Sequence, residues 1–169
     1  MAFYFPESTF PESDGFDYPV GKPNAKGYYN AQGFGKNNHL GDDWNGVNGG
    51  NSDFGDAVYA SSAGKVVESS QFFGGWGKVI IVQHKYTKGG KTGYYESLYG
   101  HLDSMLVKKD EIVSRGKKIG TIGNAEGIYL AHLHFEIRDS VGMPIGPGYS
   151  TTTKGYLDPT KFIKANRPK

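Results

Sequence analysis

The run Ala131-His132-Leu133-His134-Phe135-Glu136-Ile137-Arg138 alternates polar and apolar side chains without a break. That two-residue period marks a half-buried β-strand. Successive side chains point to opposite faces, so His132, His134 and Glu136 share one face, with Leu133, Phe135 and Ile137 on the other. Two imidazoles on one face can share a metal, or one can bind it while the other moves protons. The chain holds only five histidines, so the positions of the other three decide what this pair does.

Outward from this strand, the 169 residues include 26 Gly, 12 Tyr and 10 Phe, and turn signals recur throughout, with no long helical period. The composition predicts an all-β or β-dominated domain, large enough for a core without disulfide staples. Residues 1–37, rich in Pro, Gly, Tyr and Asn, read as an N-terminal arm packed on a single domain of residues 38–169. Ala57-Val58-Tyr59-Ala60 and Ser62 to Glu68 read as two short strands around a glycine turn. Lys78 to His84 is a near-continuous apolar run, predicted to be a central strand, with Tyr94 to His101 returning beside it. Leu102 to Asp110 reads as carrying one helical turn, and Ile112 to Gly120 as a short hairpin. Asp158-Pro159, a capping residue followed by proline, opens a short C-terminal helix.

The net charge of +2 is mild and the basic residues are scattered, which argues against nucleic acid as a partner. The absence of cysteine excludes disulfides, thiol catalysis and thiolate metal sites. No stretch approaches the roughly 20 apolar residues of a membrane span. Met1 to Glu7 has neither the basic start nor the apolar run of a signal peptide.

His39 and Asp43 lie four residues apart in His39-Leu40-Gly41-Asp42-Asp43. A chain that bends at Gly41 can aim both at one ion. A catalytic zinc takes three protein ligands and keeps one open position. His39, Asp43 and one member of the pair supply three ligands. The other member and His101, at the end of its strand, remain for proton work. His84 shares its side with Ile80 and Val82 and reads as a core histidine.

Three segments, His39-Leu40-Gly41-Asp42-Asp43, Tyr99-Gly100-His101-Leu102 and His132-Leu133-His134-Phe135-Glu136, resemble the signature motifs of the lysostaphin/LytM-type zinc metallopeptidases, which are peptidoglycan endopeptidases. Gly55 to Val66 and Val113 to Gly123 resemble the glycine-marked hairpins of the same family. The resemblance implies an antiparallel β-sheet groove with lipoyl-like hairpins and one zinc per chain. It implies His39, Asp43 and His134 as zinc ligands, His132 as general base, and His101 as the residue that orients the water or stabilises the tetrahedral intermediate. Strand geometry alone does not choose between His132 and His134.

The substrate so implied is a cross-link or stem peptide of bacterial peptidoglycan, with phage lysis, wall remodelling and cell separation all compatible roles. Two other functions are alternatives: a silent peptidoglycan-binding module that activates wall amidases, and a D-Ala-D-Ala peptidase of related site chemistry, against which the short His39 to Asp43 spacing argues. A wall substrate places the working site outside the cytoplasmic membrane, in the periplasm, the cell wall or the medium. A monomer is expected. Glu136 is positioned to fix the tautomer of a ligand histidine or to pair with a cation. Tyr99, read as sharing a face with His101, is a candidate to polarise the scissile carbonyl. Tyr94, Tyr95, Trp76, Phe72 and Phe73 are candidate groove aromatics. Asn24, Asn30, Asn37 and Asn38 are candidates to reach the metal. The loops Phe72 to Lys78, Tyr86 to Gly93 and Asn124 to Leu130 are the candidate determinants of specificity.

Overall fold

The computed structural model describes residues 10–169, so the first nine residues of the expected arm lie outside the described residues. Eleven strands form one sheet. They are β1 (Glu12–Ser13), β2 (Tyr28–Gln32), β3 (Asp42–Gly46), β4 (Ala57–Tyr59), β5 (Gly64–Phe72), β6 (Gly77–Lys88), β7 (Lys91–Met105), β8 (Ile112–Val113), β9 (Lys118–Ile122), β10 (Leu133–Arg138) and β11 (Tyr156–Leu157). The one α-helix among the described residues, α1 (Pro159–Ala165), lies near the C-terminus. The main path runs β2-β3-β10-β7-β6-β5-β8, and β4 reaches it through β9, which pairs with the end of β7. All pairings are antiparallel except that of β1 with β6.

The apolar run of β6 is central because both of its faces are covered. Ile80 and Val82 join a main core with Tyr99, Leu133 and Phe135. Val79 and Ile81 join a smaller cluster with Trp76 and Leu98 on the other side. Leu133, Phe135 and Ile137 all enter the main core, as the alternation of β10 requires. At α1, the Asp158 carboxylate accepts from the Lys161 amide at 3.0 Å and Pro159 takes the first turn, which satisfies an otherwise orphaned donor.

Four local readings give way to long-range pairing. β4 pairs with β9, and β5 with β6 and β8, so the two strands after Asp56 do not form a hairpin with each other. β8 and β9 likewise take different partners. No helical turn interrupts Leu102 to Asp110, because β7 continues to Met105 against β9. Residues 10–38, weakly periodic in sequence, contribute β2 to the sheet edge and bury Phe16 and Val20 completely. A short apolar run announces a strand, but its partner is chosen by packing from across the chain. No helix among the described residues is long and apolar enough to cross a membrane.

His84 is fully buried, with Nδ1 2.8 Å from the Ala63 carbonyl, Nε2 2.7 Å from Ser97 Oγ, and the Phe16 ring edge-on at 5.3 Å. Burial pushes its imidazole down to about 4. The folded protein therefore holds His84 neutral while the unfolded chain protonates it near its ordinary value. The stabilisation is complete above pH ~6.5 and is lost as pH falls toward ~4, for a total of about 3 kcal/mol. Urea melts of wild type and His84→Gln between pH 7 and 4 should show a shallower pH dependence in the variant. Parallel curves would refute the assignment.

Candidate metal centre

Strand register sets the first contact of the site. Asp43 on β3 stands directly opposite His134 on β10. His39 is brought to the same point by the turn before β3, where Asn37 and Asn38 both adopt positive φ. Gly41 then passes over β10 so closely that a Cβ would lie 2.4 Å from the Phe135 carbonyl oxygen, so only glycine allows the approach.

Three atoms converge. His39 Nε2 is 3.0 Å from His134 Nδ1 and 3.2 Å from Asp43 Oδ1, and the last two are 3.1 Å apart. Ligands of a tetrahedral zinc, at bond lengths near 2.0–2.1 Å, stand about 3.3 Å from one another. The opposite nitrogen of each ring is already committed. His39 Nδ1–H donates to the Gln32 carbonyl at 3.0 Å, and His134 Nε2–H donates to Glu136 Oε1 at 2.9 Å. In its neutral form each ring therefore turns its lone pair toward the Asp43 carboxylate, so a proton or a metal ion is needed between them. These residues could hold a metal ion, and they are the described group of three that can. Glu136 does both things expected of it, because Arg138 Nε and Nη2 donate to its other oxygen at 2.9 and 2.8 Å.

His101 and His132 share with Asp43 and His134 a cavity of about 260 Å³, lined also by Gln32, Trp76, Tyr129 and Tyr149, with His39 buried behind it. His132 Nδ1–H donates to the Leu130 carbonyl at 2.8 Å, and His101 Nδ1–H to the Trp76 carbonyl at 3.1 Å. A carbonyl can only accept, so the Nε2 of each neutral ring is left as an acceptor. The two rings lie 4.8 Å apart.

Residues 42–147 match the family described as peptidase family M23. The chain belongs to that family. An 84-residue stretch, half of this M23 chain, is 38% identical to the murein hydrolase activator NlpD of Escherichia coli strain K12, of which it covers 20%. Among solved structures, a zinc-containing peptidase from Vibrio cholerae is 29% identical, with a TM-score of 0.57 over 73% of this chain and 36% of that one. Lysostaphin in solution is 25% identical, with a TM-score of 0.62 over 83% of this chain and 52% of its own. The M23 chain thus spans a fifth to about half of these relatives.

Several sequence expectations change. Tyr99 and His101 do not share a face. Between Lys78 and Ile80 the β6–β7 register shifts, so Val79 faces the two residues Gly100 and His101. This bulge places His101 at φ +62 and aims it into the cavity, as bulges beside functional sites do. Tyr99 stays on the core side, fully buried, its hydroxyl accepting from the Ser61 amide at 2.8 Å. Of the candidate aromatics, only Trp76 lines the cavity. Tyr95 packs on Phe162 and Tyr94 on Phe10. None of the four asparagines lines it, and Gln32 does. The loop Tyr86 to Gly93 contributes nothing to the wall, whereas Pro147, Gly148 and Tyr149 do. Those three carried no sequence signal, because they come from an irregular segment.

Electrostatics sharpen the site. Burial opposes the charge on Asp43, yet its contacts with the His134 and His39 rings hold its carboxyl well below the usual range. Burial, then the neighbouring His134 and His132, push His101 down to about 3, so it stays neutral. Burial would also lower His134, but hydrogen bonds to Asp43 and Glu136 overcome it and raise the imidazole to about 9. A metal ion held at this site would compete with that proton for one ring. Metal binding should release about one proton per chain at pH 7, and apparent zinc affinity should rise about tenfold per pH unit until it levels off near pH 9. Calorimetry in buffers of different ionisation enthalpy checks this. A pH-independent affinity would contradict it.

Proposed function

We propose that this chain is a zinc endopeptidase that hydrolyses peptide bonds of bacterial peptidoglycan. The observation that carries the reading is the complete set of roles around one cavity: three convergent ligand atoms and two further imidazoles, each with an unengaged Nε2. Membership of family M23 supports a peptidase reaction. The resemblance of the three motifs to peptidoglycan endopeptidases supports the substrate class, which would put the working location outside the cytoplasmic membrane.

Zinc, when held by His39, Asp43 and His134, supplies a Lewis acid that acidifies water and polarises a carbonyl. His132 acts as general base. Its Nε2 lies 3.7 Å from Asp43 Oδ1, beside the ligand cluster, and its ring is oriented by the Leu130 carbonyl. It takes a proton from the attacking water and returns it to the leaving amine. His101, neutral and able only to accept at Nε2, orients that water. Its bond to the Trp76 carbonyl leaves it no N–H to donate to an oxyanion. Trp76 packs edge-on against His134 at 5.2 Å and walls the cavity.

A second reading, a wall-binding activator of separate amidases, draws support from the name of the Escherichia coli relative. Three proteins distinguish the two. Wild type should carry about one zinc and release peptide fragments from purified peptidoglycan, read by mass spectrometry. His134→Ala should lose both zinc and cleavage. His132→Ala should keep its zinc and lose roughly 100-fold in turnover. Cleavage by His134→Ala would overturn the proposal. A zinc-loaded wild type that cuts no bond yet stimulates an amidase would establish the second reading instead.

A further inference from the structure

Hydrolysis of an amide places negative charge on the carbonyl oxygen, and preorganised donors aimed at that oxygen account for much of the rate. In this cavity neither proton-moving imidazole is such a donor, because His101 and His132 both spend their Nδ1–H on backbone carbonyls. The Gln32 side-chain amide commits one of its two N–H groups to the Tyr149 hydroxyl at 3.1 Å, which ties it to that side chain. Trp76 Nε1–H donates out of the cavity to the Gly146 carbonyl, also at 3.1 Å. Two hydroxyls remain on the wall, those of Tyr129 and Tyr149.

They are not equivalent. Tyr129 belongs to the side of the two acceptor imidazoles, 5.0 Å from the His101 ring and 5.8 Å from that of His132. Its hydroxyl lies against the backbone of Gly75, where an added Cβ would come within 2.4 Å of it. Tyr149 belongs to the ligand side, its ring 5.0 Å from that of His39. It is held there by an antiparallel bridge to His39 and by two backbone bonds, Leu40 N–H to the Gly148 carbonyl and Ser150 N–H to the Asn38 carbonyl, each 2.9 Å. Because Gln32 donates to the phenol oxygen, the Tyr149 O–H proton is directed away from Gln32, and the incoming bond strengthens it as a donor. The ring is half exposed, so a substrate can reach it.

We infer that Tyr149 is a further catalytic residue, donating its phenolic hydrogen bond to the carbonyl oxygen of the scissile peptide as charge builds on it, with Gln32 as its positioning partner. The inference rests on the peptidase reading above, and it assigns the role first looked for at Tyr99 to a residue from the irregular segment before β11. No bond is made or broken at Tyr149; the proton stays on the phenol and the hydrogen bond shortens as the oxygen becomes anionic.

Tyr149→Phe keeps the ring against His39 and removes the hydroxyl, both its donated hydrogen bond and the one it accepts from Gln32. With zinc content equal to wild type, turnover should fall on the order of 100-fold with little change in KM. Gln32→Ala retains the backbone carbonyl that orients His39 and should produce a smaller loss, again in kcat. Inorganic phosphate, a tetrahedral oxyanion, provides a readout independent of turnover: calorimetry on the zinc-loaded proteins should show it binding about tenfold more weakly to Tyr149→Phe. Equal phosphate affinity in wild type and variant overturns the inference, as does unchanged kcat in a variant that still carries zinc. A wild type that cleaves nothing but loses phosphate affinity on Tyr149→Phe would uphold the donor while overturning the peptidase reading, so the two failures are distinguishable.

Discussion

One face of β10 carries three ionisable side chains in series, His134, Glu136 and Arg138, and all are buried. Such a row is tolerable only if every charge is met, because an unpaired buried ion costs several kcal/mol. Here each is. Arg138 places two N–H groups on Glu136 and others on the carbonyls of Pro144 and Ile145 at 3.0 and 2.6 Å. Glu136 turns its free oxygen to His134, and His134 turns its other nitrogen to Asp43. The series orients the ring of His134, one of the three residues that could hold a metal ion. It also ties the sheet to the irregular segment beyond β10. From that segment the Gly146 and Gly148 carbonyls accept from Trp76 and Leu40, so the wall of the cavity and the position of His39 depend on the same buried charges.

The second organising device is backbone geometry. The bulge in β7 gives His101 a left-handed conformation that few non-glycine residues adopt. Its amide and its Nδ1 both address one acceptor, the Trp76 carbonyl, at 2.9 and 3.1 Å. Gly100 beside it is equally constrained, since a Cβ there would stand 3.2 Å from the Trp76 ring and 3.6 Å from the Cβ of His134. Local strain of this kind persists where the surroundings over-determine it. The effect is to place two imidazoles beside the three-atom cluster, each with its Nδ1 committed to a backbone carbonyl.

Much of this was legible in the chain. Strict alternation over residues 131–138 revealed β10 and its two faces, the apolar run from Val79 to Val82 revealed the central strand, and Asp158-Pro159 revealed α1. The five polar residues that the fold brings together at the candidate site were legible as a group because histidine is scarce here and its spacing resembles known motifs. Strand partners were not, since β4 and β9 are far apart in sequence and nothing local distinguishes their pairing from a hairpin. The face of Tyr99 was misread for a related reason. Alternation assumes an unbroken ladder, and one inserted residue reverses every assignment beyond it.

The sequence by itself determined which side chains could do chemistry and which strands could be half or fully buried, because residue type and period are local properties. The tertiary structure alone decided three other things: which ring nitrogen faces the cavity, which tyrosine stands at its wall, and how the segment before β11 contributes. Each depends on a hydrogen-bond partner or a close approach supplied by residues distant in the chain, and no pattern within one strand encodes where such a partner will lie.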